Sequence, residues 1–390
     1  MTSAITADQC YQEMAVKYNQ DDGVEFEEDE FDTYIDKYTG KKNSVRRFTW
    51  RNSSGVSVQV ITYGATITSI KMPDKNGTSD DIVMGFDDIK GYLNPLNPYF
   101  GATVGRVANR IGYARITIDE HTYNVTANLG EHTLHGGLKG FDKVNWNHYV
   151  DGNKLSLSYL SKDLEEGFPG DVITTVTYEL TSDNRFVFDF KSTSSKPTFV
   201  NLTNHSYFNL GGHDAGAEQV YKHLISINAD YTTDVDNNSI PSGKLLSVAN
   251  TAFDLRVPIV LGEKINKIPG YLGYDHNFCV TKGSSQENRF IARAVHPPTG
   301  RSLEIYSNQP GVQFYTGNHI PENPTFFKGD SNKLERLTGK GGSKYYKHGS
   351  FCFETQNYPD AVNHKNFPPA VLYPGELYHH TVEYRLSVIA

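Results

Sequence analysis

An all-β fold follows from three features of this 390-residue chain. Apolar residues recur at every second position over much of its length, short turns separate the segments that carry this alternation, and no long amphipathic helix comes between them. Composition agrees. Aromatic residues make up 12% of the chain, with 25 Tyr and 21 Phe, and the residues that build long helices are not dominant. A hydrophobic content of 37% suffices for a sizeable core.

Residues 1 to about 40 stand apart from this pattern. "ITADQCYQEMAVKY" offers Thr6 as an N-cap with Gln9 three residues later, and Tyr11, Met14, Ala15 and Tyr18 fall on one helical face, so a short amphipathic helix is expected there. The acidic run "DDGVEFEEDEFD" follows. Its like charges repel, which suits a solvated tail or linker.

From about residue 44 the period is two. Leu155, Leu157 and Tyr159 share one face of "KLSLSYLSK", Val172, Thr174, Val176, Tyr178 and Leu180 share one face of "VITTVTYEL", and Phe186, Phe188 and Phe190 align in "RFVFDFKS". The last segment alternates Val382, Tyr384, Leu386 and Val388 with Thr381, Glu383, Arg385 and Ser387. Turns such as "DKNG" (74–77), "SDN" (182–184) and "PPTG" (297–300) punctuate these strands. The organisation expected is an acidic extension over 1–40 and one continuous unit of packed antiparallel sheets over 41–390.

A formal net charge of −8 argues against nucleic acid and anionic membrane surfaces as partners. No apolar run approaches the roughly 18 residues of a membrane span, and "MTSAITADQCYQEM" lacks the features of a signal peptide. The three cysteines, Cys10, Cys279 and Cys352, are widely spread and suit a reduced compartment, so a soluble cytoplasmic protein is expected. Both a monomer and a weak homodimer fit an all-β chain with exposed sheet edges.

Polar clusters interrupt the alternation at "GRVANRIGYA" (105–114), "NLGEHTLHGG" (128–137), "NLTNHSYFNLGG" (201–212), "YDHNF" (274–278) and "FCFETQNYPDAV" (351–362). Each places ionisable residues among aromatics and glycines, which suits a cleft. Glu354 is either a solvent-facing strand residue or a carboxylate whose pKa is raised by aromatic neighbours, as in a general base. His205, among amides and hydroxyls, is either structural or an acid. His135 is a turn residue, a substrate contact or a ligand. No metal site is expected, because nothing like HxxxH or HExxH accompanies His135. Arg110 is a surface residue or a fork for sugar or carboxylate oxygens, and the Asp275–His276 pair suits ordinary turn chemistry.

In this order the segments "TYGATITSIKMPDKNG", "GATVGRVANRIGYARITIDEHTYNVTANLGEHTLHGG", "GFPGDVITTVTYEL", "NLTNHSYFNLGG", "GYDHNF", "NQPGVQFYTGNH" and "FCFETQNYPDAVNHKNFPPAVLYPGELYHHTVEYRL" resemble the aldose 1-epimerase (galactose mutarotase) family. The resemblance runs from about residue 44 to the C-terminus. It implies a β-supersandwich of galactose mutarotase type with an open cleft for a monosaccharide, and interconversion of aldohexose anomers without a cofactor. It also implies Glu354 as general base, His205 as general acid, and Asn109, Arg110, His135, Asp275 and Gln313 as sugar contacts. Residues 1 to about 40 have no counterpart in the family pattern, and 328–347 is longer than the usual connection. A hexose-phosphate epimerase would call for extra cations near these motifs, and a sugar-binding regulatory protein would need no acid–base pair.

Overall fold

Alternating burial gathers the strands into three large antiparallel sheets in the computed structural model, which describes residues 16–21, 23–37, 39–270, 273–281, 288–325, 327 and 335–389. A six-stranded meander runs in chain order from Val16–Asp21 through Val24–Ile35, Lys42–Asn52, Ser57–Ile61 and Thr66–Pro73 to Ser79–Asp81. A nine-stranded sheet begins with Asn147–Asp151, Lys154–Ser161, Val172–Leu180 and Arg185–Ser194. It continues through Tyr378–Val388, Arg301–Ser307, Arg289–His296 and Leu224–Ile227 to Ile259–Val260. The third sheet orders Pro241–Ser247, Ala229–Val235, Asp275–Val280, Gly311–Tyr315 and Cys352–Gln356. The α-helices among the described residues are four or five residues long, and none is long and apolar enough to cross a membrane.

The inward sets read from the sequence are buried as expected. Val172, Thr174, Val176, Tyr178 and Leu180 lie beneath one sheet face, and Phe186, Phe188 and Phe190 pack beside them. In the C-terminal strand Val382, Tyr384 and Leu386 are buried, but Val388 at its end is exposed. One continuous core joins residues of all three sheets, among them Trp50, Phe188, Phe314 and Phe353. Cys279 and Cys352 are free and buried.

The N-terminal reading requires correction. Residues 6–15 of the expected helix lie outside the described residues, and from Val16 to Asp21 the chain is a strand. The acidic run is not a solvated tail. Residues 24–35 form a twelve-residue strand paired along Lys42–Asn52, so a boundary near residue 40 falls between two partners of one sheet. Val24 and Phe26 enter the core, and the Phe26 ring stacks on Trp50 at 4.7 Å. The intervening acids find cations on the next strand, Glu27 with Arg51 at 2.7 Å, Glu28 with Arg46 at 2.8 Å, and Asp29 with Arg47. Self-repulsion along the run is thereby offset across the strands, an arrangement a local reading of charge does not contain.

The long 328–347 connection is described from residue 335. It folds back as a hairpin pairing Leu337–Thr338 with Lys344–Tyr345. Lys340 Nζ pins it by donating to Asp81 Oδ2 at 2.7 Å and to the Thr68 carbonyl at 2.9 Å, and Tyr345 is buried among aromatics.

Two stability measurements follow from this packing. Phe26→Ala lowers the unfolding free energy by about 3–5 kcal/mol in urea titration; an unchanged midpoint would mean that the acidic strand is dispensable. The second concerns His223, whose buried ring accepts from the Leu210 N–H at 3.1 Å and lies 3.0 Å from the Val220 carbonyl. Burial pulls this imidazole down to about 3. A folded value below the unfolded one means that the unfolded chain binds protons first, so stability present above about pH 6.5 is lost as pH falls. We expect His223→Gln to be less stable at pH 7 yet to show a pH slope shallower by about 1.4 kcal/mol per pH unit below pH 6.

Candidate active site

Neighbouring strands of the five-stranded sheet set three polar side chains side by side. Glu354 lies directly across from Gln313, whose other partner, Asn277, is two residues from Asp275. Phe351 and Phe353 turn into the core, so alternation sends Glu354 to the opposite side of the sheet, where it is only 2% exposed. The reading of Glu354 as a solvent-facing strand residue therefore fails.

Loops and the two-residue strand Arg110–Ile111 deliver the remaining groups. The His205 backbone is fixed by its N–H to the Ala102 carbonyl at 2.9 Å and its own carbonyl to the Gly101 N–H at 3.0 Å. Asn109 and His135 both take left-handed backbone angles, with φ of 62° and 51°, which turns two short loops towards each other. The Asn109 N–H donates to His135 Nδ1 at 3.2 Å, so the neutral His135 ring carries its proton on Nε2. Asn109 Oδ1 accepts from the Arg110 backbone N–H at 2.9 Å. The two arginines of "GRVANR" separate here. Arg106 is buried as scaffold, donating to the Pro169 and Gly170 carbonyls at 2.9 Å, whereas Arg110 reaches the cleft and pairs with Asp275 at 3.4 Å.

All seven residues singled out from the sequence, Asn109, Arg110, His135, His205, Asp275, Gln313 and Glu354, line one cavity of about 270 Å³. Tyr99, Tyr207, Tyr315 and His319 also line it and were not singled out; the aromatic residue of "NHSYF" was the available signal for Tyr207. His276 packs its ring against Phe253, at 4.6 Å, and its Nδ1 accepts from the Asp275 N–H.

Glu354 Oε2 lies 3.6 Å from His205 Nε2. Four buried polar atoms of the lining have no hydrogen-bond partner: Glu354 Oε2, His205 Nδ1, Arg110 Nε and Gln313 Oε1. Native interiors leave few such atoms, so their concentration at one cavity is a ligand signature. Burial pushes the Glu354 carboxyl well above the usual carboxylate range, with Asp275 adding to the rise and Arg110 opposing it. Burial pulls the His205 imidazole down to about 4, against a smaller upward pull from Asp275. Two groups displaced in opposite senses at this separation can present a proton donor and a proton acceptor to one small ligand. Ligand atoms of His135, His205 and Glu354 lie within 4.8 Å of one another, so the same three could hold a divalent cation, which would occupy the acid–base pair.

Comparison with known proteins accords with this geometry. The family model described as aldose 1-epimerase matches residues 46–385. A galactose mutarotase of Bos taurus is 47% identical over 336 residues, covering 86% of this chain and 92% of its own, and one of Rattus norvegicus is 45% identical over 345 residues, covering 88% and 95%. The solved structure of a GalM/aldose epimerase homologue from C. elegans superposes with a TM-score of 0.77 at 29% identity, covering 87% of this chain and 97% of its own. The fold is thus that of the galactose mutarotases, and the chain belongs to the aldose 1-epimerase family, isomerases that interconvert the anomers of aldoses.

Proposed function

We propose that Glu354 and His205 open and reclose the ring of an aldohexose such as galactose or glucose, Glu354 acting at the anomeric hydroxyl and His205 at the ring oxygen. The observation that carries this reading is the unpartnered Glu354 oxygen 3.6 Å from the His205 imidazole, inside a cavity of about 270 Å³ that suits a single sugar ring.

In the empty cavity burial keeps a proton on Glu354 and leaves His205 neutral. The reactive arrangement is the ion pair. Asp275 favours the imidazolium at His205 but also holds the proton on Glu354, so Arg110, which favours the carboxylate, is the charge that supports transfer of that proton from Glu354 to His205 as sugar hydroxyls replace water. Glu354 then takes the proton of the anomeric hydroxyl. The released O–H pair forms the carbonyl, the bond from C1 to the ring oxygen breaks, and that oxygen takes the proton of His205. Rotation about C1–C2 turns the other carbonyl face to the hydroxyl. Reclosure returns one proton to His205 from the attacking hydroxyl and one from Glu354 to the new anomeric oxygen. Each group ends as it began, without a covalent intermediate.

Clamping the rest of the sugar while its anomeric end turns falls to Asn109, Arg110, Asp275 and Gln313, with His135 donating through Nε2. The cations nearby are already engaged, Arg110 with Asp275 and Lys143 with Asp142, which favours a neutral hexose over a phosphorylated one.

Polarimetry on fresh α-galactose and α-glucose tests the assignment. Wild-type protein accelerates the approach to equilibrium, and Glu354→Gln and His205→Asn each lower kcat by about 10² or more at matched folding. Variants that keep the wild-type rate contradict the roles, and a wild type that binds sugar without accelerating it is a binding protein. The pH profile gives an independent check. Activity is lost at alkaline pH as the pair gives up its last proton. Asp275→Asn removes a charge that retains this proton, so that limb moves to lower pH; Arg110→Gln removes a charge that expels it, so the limb moves to higher pH.

A further inference from the structure

A catalytic imidazole is ordinarily oriented by a hydrogen bond to the ring nitrogen that does no chemistry. No other residue supplies one to His205: Nδ1 is buried with nothing but its own backbone within reach. Rings surround it instead. Tyr207 lies nearly parallel to the imidazole at 4.9 Å and 6°, Tyr99 at 5.9 Å and 11°, and the His135 and Tyr315 rings present steeper angles at 5.2 Å and 6.4 Å.

We propose that Tyr207 is a positioning residue, its ring face holding the His205 imidazole in the orientation that points Nε2 at Glu354 and stabilising the imidazolium on which the reaction depends. This rests on the assignment of His205 as the acid. Tyr207 is the closer of the two parallel rings, and Tyr99 already carries Lys143 Nζ over its ring at 4.8 Å, so the π face of Tyr207 is the stronger partner for a cation. The other charged or titratable groups at the cavity are Glu354, Asp275 and Arg110 on three strands, with His135 and His319 beside them.

Tyr207 is itself held without freedom to turn. It is buried, Phe100 meets it edge-on at 4.9 Å, and Tyr345 meets Phe100 at 5.5 Å. The Tyr345 hydroxyl accepts from the Gly85 N–H at 3.4 Å and the Lys340 N–H at 3.3 Å. The hairpin in the long connection before Glu354 therefore reaches the acid through three successive rings.

The test separates the charge distribution of the ring from its shape. Tyr207→Phe, which keeps the π face, is the reference, and pentafluorophenylalanine placed at position 207 by stop-codon suppression has nearly the same shape with a reversed quadrupole. Tyr207→Leu removes the ring. Readouts are kcat for α-galactose by polarimetry, KM, and the His205 imidazole titration by NMR, identified by its absence in His205→Asn. Relative to Tyr207→Phe, the pentafluoro and Leu forms lower kcat about tenfold, move the His205 midpoint down by about one pH unit, and leave KM little changed. Equal kcat and equal midpoint in the Phe and pentafluoro forms overturn the proposal, since a packing role alone would produce them. If His205→Asn keeps the wild-type rate, the acid assignment fails and this inference with it; if His205→Asn is inactive while the Phe and pentafluoro forms agree, only this inference fails.

Discussion

A carboxyl oxygen and an imidazole nitrogen lie 3.6 Å apart, both shut away from water, and the surrounding site bears on which of the two groups carries a proton. Desolvation acts in the same sense on both partners, disfavouring the charged carboxylate and the charged imidazolium. An empty cavity therefore stores the pair in its neutral form. Arg110 works against desolvation at Glu354 and Asp275 works against it at His205, although Asp275 adds to it at Glu354; their own ion pair keeps each from becoming a second unpaired charge in the cleft.

The fold supplies these groups by two different means. The five-stranded sheet delivers Asp275, Gln313 and Glu354 through register, because alternate side chains of paired strands share one face. His135 and His205 lie on loops and Arg110 opens the two-residue strand Arg110–Ile111, with Asn109 and His135 in the left-handed region that regular strands do not adopt. Sheet register is rigid, whereas the His205 ring lies between the near-parallel rings of Tyr207, at 4.9 Å, and Tyr99, at 5.9 Å. The hairpin of residues 337–345 joins this series of rings through Tyr345, which packs on Phe100 as Phe100 packs on Tyr207.

What could be read from the sequence was what depends on local period. Phe186, Phe188 and Phe190, or Val172 through Leu180, announce their buried face because a strand has a period of two. The same rule set Glu354 opposite Phe351 and Phe353, though not which of two faces held a cavity. That answer requires His205, 149 positions earlier, and such a pairing is a property of sheet topology. The order of motifs supplied it through family resemblance. The acidic strand was misjudged because its compensating arginines, Arg46, Arg47 and Arg51, follow only after a turn; the alternation of Val24 and Phe26 was present but outweighed by the charge run. Arg106 and Arg110 are alike in sequence and differ only in what surrounds them.

The location of this proton can be observed directly. Infrared difference spectroscopy of wild-type protein against Glu354→Gln, at neutral pH with and without galactose, isolates the carboxyl stretch of Glu354. A protonated-carboxyl band in the empty protein that gives way to a carboxylate band as sugar binds is the result this account predicts. A carboxylate band already present without sugar would contradict it, because the buried pair would then rest as an ion pair and the sugar would have no proton to relocate.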